Sequence, residues 1–444
     1  MSATRTRHAA LLGALLLIAV GGAAAAFLLL GEQRPPALIF VVLDTVRSQN
    51  TSLCGYERPT TPTLAQLAGQ GATVACRAIA PSSWTLPSHA SFFTGLEQFE
   101  HGAGAGPGKL DLGWGSAVPL HPDHTTLAEA LAARGYQTVA ISANPVLTPA
   151  SGLLQGFEAT FIASSYEELR GDAFAARVRA FMANRDTSRP LFLFLNLADA
   201  HNPWPAVPEG IVGVPPTEAM HGAPERRAYE MRLLSPEQQR ELRQDARNLY
   251  DYGVLRADLG LAMTLSALEE QGWFAHGMRL VVTSDHGEYL GEHERLLHGG
   301  WGLFEEVVRV PLLVFDTEGS PPLPDPISAT AAYDLLLTGA LADRPVRAAT
   351  FSHRGEGATA GDGPCGVSTA AEWEGDGKRT CYGGRFQAWD LKADPHEAHP
   401  SQADVSAAFR RFTEQTEARA RAIGDDDIDS DLTDSLKQLG YIEE

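Results

Sequence analysis

Basic residues are scarce in this chain: 35 lysines and arginines stand against 55 aspartates and glutamates, a formal net charge of −20. Such an imbalance repels a polyanion wherever no basic patch or bound cation offsets it, so no nucleic acid partner is expected. A small anionic ester is still admissible, because one divalent ion inverts the field of a site. Cysteine is scarce too, with four residues and no Cys-x-x-Cys spacing of the kind that binds zinc. Cys365 and Cys381 flank a Gly-rich charged stretch that a bridge would staple, and Cys54 and Cys76 lie nearer the candidate site; the spacing does not choose among the pairings, or none. There is no internal repeat and no long low-complexity tract. The acidic cluster Asp425-Asp426-Asp427 with Asp429 and Asp431 lacks the glycine and closing glutamate of an EF-hand loop, and reads as a solvated link.

What is present begins with Arg5, Arg7 and His8, followed by an uncharged apolar run from Ala9 to Leu30. A bilayer takes about 20 such residues. The flanking positive charges keep the N-terminus cytoplasmic and place the rest outside. An uncleaved anchor and a cleaved signal with its site among Gly21 to Ala26 are the two readings, and both export the remainder. At 444 residues the chain exceeds the roughly 250 to 300 that one core serves. The division expected is 1–36 for the tip, anchor or signal and linker, 37–320 for a catalytic domain, and 321–444 for a connecting region and C-terminal subdomain.

Ala37 to Leu43 is a continuous aliphatic and β-branched run, the pattern of a strand buried on both faces. It ends at Asp44. A second such run, Met278 to Ser284, ends at Asp285 and His286. Further strands are expected at Gln137–Ser142 and Pro190–Leu197, alternating with helical patterns at Thr126–Arg134, Asp172–Asn184, Leu233–Gln271 and Asp404–Ile423. This is an α/β alternation, and in open α/β sheets ligands bind at the carboxyl ends of the strands.

Asp44, Asp285 and His286 therefore offer oxygen and imidazole ligands where a divalent cation would sit. In Trp84-Thr85-Leu86-Pro87, the proline suits the first turn of a helix that runs through Phe93 and stops near Gly95. Thr85 is then either an N-cap or a hydroxyl facing an anion-binding helix end.

Several segments carry a family resemblance. They are Leu43-Asp44-Thr45-Val46-Arg47, Gly55 to Leu64, Trp84 to Gly95, His201-Asn202-Pro203-Trp204, Thr283 to Glu288, Gly291-Glu292-His293, Arg309 to Leu313, Trp389 to Pro395 and Leu436 to Tyr441. In order and spacing they resemble the sulfatase branch of the alkaline phosphatase superfamily. The resemblance implies an alkaline-phosphatase-like α/β/α sandwich with a mostly parallel sheet and a small C-terminal α+β subdomain. It implies one divalent metal ion (calcium, manganese, magnesium or zinc) held by Asp44, Thr85, Asp285 and His286. His201 and His298 match substrate-facing or leaving-group-protonating positions; Asn144, in Ser142-Ala143-Asn144-Pro145, reads either as a substrate-binding polar group or as a turn. His89 falls where sulfatases carry the arginine of their signature, among the catalytic groups, and Thr45 falls where many carry a second metal-binding aspartate. Asp199 with His201 and His298 is the nominal set for a second metal.

Sulfatases convert the Cys or Ser of that signature to formylglycine, a hydrated aldehyde. Threonine cannot supply it, since oxidising its secondary alcohol gives a ketone, so no formylglycine is expected. A threonine alkoxide is the nucleophile of phosphodiesterases and phosphoethanolamine transferases in the superfamily, and the chemistry leans toward phosphorus. The expected protein is a metal-dependent hydrolase or transferase of phosphate, phosphonate or sulfate esters. Its anionic ester substrate would be borne on a glycan, a lipid head group or a small molecule, and its catalytic domain would lie outside the cytoplasm. The alternatives are a true sulfatase without formylglycine and a catalytically silent binding domain.

Overall fold

A computed structural model describes residues 34–111, 116–220, 222–299, 302–351, 365–402 and 405–424. The apolar run Ala9 to Leu30, the acidic cluster after 424 and the block Leu436 to Tyr441 lie outside these residues. Among the described residues no helix is long and apolar enough to cross a membrane.

The strands in chain order are β1 (Ala37–Leu43), β2 (Thr73–Ile79), β3 (Gly104–Asp111), β4 (Ser116–Val118), β5 (Gln137–Ser142), β6 (Ala159–Ile162), β7 (Leu191–Leu197), β8 (Met278–Thr283), β9 (Tyr289–Leu290), β10 (Leu296–Leu297), β11 (Arg309–Asp316) and β12 (Ile327–Ser328). Eight of them form the central sheet in the order β12-β2-β11-β8-β1-β7-β5-β6. Every pairing is parallel except those of β11, which runs against both β8 and β2. β3 with β4 and β9 with β10 are short hairpins outside it.

Period-2 alternation explains the apolar runs. Ile39, Val41 and Leu43 of β1 enter one core, packed with helices α1 (Pro62–Gly69), α4 (Asp172–Met182) and α5 (Pro236–Glu270). Leu38, Phe40 and Val42 enter the other, packed with α2 (Thr85–Thr94), α3 (Leu127–Ala132) and α6 (Ala331–Thr338). A strand between two helix layers has no polar face, so no alternation shows in its sequence. The result is an α/β/α sandwich.

β12 and α6 lie beyond residue 320, where the sequence reading ends the large domain, yet they pair and pack on the central sheet. This layer continues to Thr338. The C-terminal subdomain follows as an antiparallel sheet of β13 (Val346–Phe351), β14 (Ser368–Glu374), β15 (Gly377–Tyr382), β16 (Arg385–Asp390) and β17 (Ser401–Gln402). Helix α7 (Ala407–Gly424) packs Phe409 and Phe412 against Ala349 and Ala370 of that sheet. All four cysteines are paired, Cys54 with Cys76 and Cys365 with Cys381.

Candidate active site

Every side chain of the candidate site is delivered from the carboxyl edge of the central sheet. Asp44 follows β1, Asn144 follows β5, Asn196 belongs to β7 with His201 in the loop after it, and Asp285 and His286 follow β8. A Cβ on Gly287 would sit 2.1 Å from the Glu306 carbonyl oxygen, and the Gly287 amide donates to the Val307 carbonyl at 2.8 Å. Close backbone approach therefore requires the glycine after His286.

Thr85 opens α2, whose cap is Trp84 in extended conformation, and Gly95 closes it in the left-handed region (φ 70°). The hydroxyl of Thr85 is thus not spent as a cap. Its Oγ1 accepts from Asn144 Nδ2 at 3.1 Å, and the same nitrogen donates to Asp44 Oδ2 at 2.7 Å. Asn144 ties the Thr85 hydroxyl to the first metal-type acid.

The residues present fit a cation. Asp44, Asp285 and His286 are fully buried and offer ligand atoms within 4.8 Å of one another. Asp44 Oδ1, Asp285 Oδ2 and His286 Nε2 have no hydrogen-bond partner. Unpartnered buried polar atoms are costly, and three converging on one point are the donor set a divalent ion satisfies. Burial opposes ionisation of Asp44, but the imidazoles of His201 and His286 and the amides of Asn144 and Asn196 outweigh it and hold its carboxyl below the ordinary value. Burial, then the charge of Asp44, drives Asp285 well above. Two facing carboxylates cannot both ionise without a cation between them.

Three imidazoles line the opening. His286 and His298 have ring centroids 4.3 Å apart, and His298 and His201 5.1 Å apart. Burial pushes His298 down to about 4 and lowers His201, so both are neutral rings at neutral pH. Burial pushes the Glu288 carboxyl up to about 8, so at neutral pH it carries a proton, and its Oε1 donates to His298 Nδ1 at 2.9 Å, which leaves the ring proton on Nε2. His201 stacks on Tyr166 at 3.7 Å, and Nδ1 of its ring engages the Asn202 carbonyl.

His89, expected among the catalytic groups, lies beneath Thr85 rather than at the opening. It is fully buried one turn below Thr85, its Nδ1 donating to the Thr85 carbonyl at 2.9 Å and lying 3.7 Å from Asp285 Oδ2, with Phe92, Phe93 and Phe194 around the ring. Apolar packing closes its other side, which makes it a positioning group. Asp199 does not join His201 and His298. It pairs with Arg256 at 3.2 Å and accepts from the Gly171 amide. Among the described residues the one metal-type cluster is Asp44, Asp285 and His286. Thr45 offers no ligand in place of an aspartate, because its hydroxyl donates to the Asp44 carbonyl at 2.7 Å.

Sequence reasoning missed Asn196, Glu288 and Tyr166. Asn196 donates to Asp44 Oδ2 at 3.0 Å, and the signal was there: it is a polar residue inside an otherwise apolar strand. Glu288 sat beside the metal-type pair, its partner ten positions away invisible until β9 and β10 fold back. Tyr166, whose hydroxyl donates to Asn144 Oδ1 at 3.3 Å, lies in a polar loop with no local signal.

The family model described as Sulfatase matches residues 36–338, more than half of the chain, and this protein belongs to that family. It is accordingly a metal-dependent ester hydrolase of the alkaline phosphatase superfamily. Among solved structures, the chain is similar to the phosphonate monoester hydrolase of Agrobacterium radiobacter (18% identity, TM-score 0.60, 87% of this chain and 96% of that one). It is also similar to BT4656 in complex with its substrate D-glucosamine-2-N,6-O-disulfate (18% identity, TM-score 0.61, 88% and 99%). A third is BT1596, a 2-O glycosaminoglycan sulfatase (14% identity, TM-score 0.59, 91% and 92%). At these identities the likeness speaks to the fold. No curated protein sequence matches the chain.

Proposed function

We propose that the protein cleaves, or transfers the acid group of, phosphate or phosphonate esters with Thr85 as its nucleophile. One observation carries this reading: a threonine hydroxyl opens α2 under the grip of Asn144, beside the unpartnered ligand atoms of Asp44, Asp285 and His286. Thr85 Oγ1 would give up its proton to water, attack phosphorus in line and form a phosphothreonine as the bond from phosphorus to the leaving oxygen breaks. His298 is the general acid: the Glu288 carboxyl, kept protonated by burial, donates to Nδ1, so Nε2 carries the proton that goes to the leaving oxygen as Nδ1 takes the proton of Glu288. His201 is the second imidazole of the opening, held by Tyr166. Water, deprotonated by the same imidazole, or an acceptor alcohol then attacks phosphorus and frees Thr85.

Asp44, Asp285, His286 and Thr85 would hold the cation, which when bound supplies charge that lowers the pKa of a hydroxyl and offsets charge on the transferred oxygens. The imidazole of His286 shifts weight from calcium toward manganese or zinc. Sulfate esters are the second reading, favoured by the family. Against them stands the side chain itself, since a secondary alcohol has no hydrated aldehyde from which to expel sulfate. The likeness to the phosphonate monoester hydrolase of Agrobacterium radiobacter supports phosphonate esters as a substrate class. Two disulfides and the apolar N-terminal run support a site of action outside the cytoplasm.

The test is a panel of nitrophenyl phosphate, phosphodiester, phosphonate and sulfate substrates with calcium, magnesium, manganese or zinc added to chelator-stripped protein. Turnover of phosphorus esters is expected, with Thr85→Ala losing at least about a thousandfold. Turnover of sulfate alone would sink the phosphorus preference, and full activity in Thr85→Ala would sink the mechanism.

A further inference from the structure

Thr45 lies between Asp44 and the rest of the β1 turn with a left-handed backbone (φ 61°), which β-branched residues rarely adopt. Its surroundings hold it there. The Thr45 amide donates to Asp285 Oδ1 at 3.2 Å, and the Val46 amide donates to Ser284 Oγ at 2.9 Å. From the far side, the Tyr250 hydroxyl of α5 donates to the Thr45 carbonyl at 2.7 Å and accepts from the Arg47 amide at 2.9 Å. Tyr250 and Thr45 are fully buried.

We infer that Tyr250 is a positioning residue for the metal site, acting through the left-handed backbone at Thr45. Its hydroxyl clips the carbonyl of Thr45 to the amide of Arg47 and so closes the turn after β1. With the turn closed, the Thr45 amide joins the His286 amide (3.1 Å) on Asp285 Oδ1, and the two leave Oδ2 unpartnered toward Asp44. Without the clip, Thr45 relaxes toward negative φ, its amide leaves Asp285, and the carboxylate keeps only the His286 amide of the two that choose which oxygen faces the cation. The tyrosine touches neither ligand, yet it sets the spacing of the turn after β1 against the turn after β8.

The inference rests on the metal site proposed above. Its test is a calorimetric titration of chelator-stripped protein with manganese, on the parent chain, Tyr250→Phe, Thr45→Gly and the double variant, with thermal unfolding of the metal-free forms alongside. Tyr250→Phe is expected to weaken manganese binding about tenfold or more, the size of loss seen when an outer partner of a ligand is removed. In the Thr45→Gly background the loss should shrink to less than about threefold, because glycine takes positive φ without help. A purely structural tyrosine would lower metal-free stability and leave the affinity alone. Unchanged affinity in Tyr250→Phe, or an equal loss in both backgrounds, overturns the inference. If Tyr250→Phe does not fold, the double variant must still fold and bind; its failure where Thr45→Gly folds also overturns it. A parent chain that binds no divalent ion overturns both this and the metal site, whereas a binding parent with an unaffected Tyr250→Phe overturns this alone.

Discussion

At the scale of single residues, the site assigns different work to imidazoles that look alike in sequence. His286 offers an unpartnered Nε2, His298 is oriented by the Glu288 carboxyl, His201 is stacked on a tyrosine, and His89 is packed beneath Thr85. If His298 protonates the leaving oxygen, His298→Ala should cost about a hundredfold or more on an alkyl ester, the usual worth of a general acid. The same variant should lose far less on a nitrophenyl ester, whose leaving group departs without a proton. Comparing kcat/KM on the two esters checks this, and equal losses would assign His298 to binding. Asp44, Thr85, Asn144, Asp285 and His286 were legible because local patterns frame them: a strand end, a helix start, a turn. Tyr166 and Glu288 act through contacts made only after distant segments meet, and no spacing encodes such contacts.

At the scale of elements, helix α2 is held in place by a buried histidine outside the site. The Ala103 amide donates to His101 Nδ1 at 3.0 Å, so Nε2 carries the proton and donates to Ser91 Oγ of α2 at 3.0 Å. Burial pushes His101 from the ordinary 6.5 down to about 3. The unfolded chain therefore binds a proton below pH 6.5 that the folded chain refuses until about pH 3. Stability from this group is complete above pH 6.5 and is lost as pH falls through that window, by up to about 1.4 kcal/mol per unit. Urea unfolding at several pH values should show a shallower acid slope in His101→Gln than in the parent. The strands with apolar runs were readable nearly to the residue, β1 and β5 with both bounds. The C-terminal sheet was not, because its strands are short, mixed in polarity and stabilised by each other. The antiparallel course of β11 was equally hidden, since direction depends on the connection and not on composition.

At the scale of the whole molecule, the small sheet is fastened to the large domain by one buried cation. Lys378 of β15 is fully buried, with Nζ 2.7 Å from Glu397 Oε1, 3.5 Å from Glu305 Oε1 and 4.8 Å from the Trp373 ring centroid. Its ammonium also donates to the Leu303 carbonyl, and the Glu305 amide donates to Glu397 Oε2. Lys378→Met would strand two buried carboxylates, a loss of about 3 to 5 kcal/mol that thermal unfolding should register as a clearly lower Tm. Removing charge from both sides, with Glu397→Gln added, should return part of it.

The direction of β1 has a practical reach of its own. The chain enters the described body just before Ala37, at one end of a seven-residue strand, and Asp44 leaves from the other. A strand of that length spans about 23 Å. A fluorophore placed at the exposed Pro35, just before β1, therefore sits at the opposite edge of the central sheet from Asp44. Such a reporter stays about a strand's length from the candidate site and leaves its opening clear for esters arriving from solution.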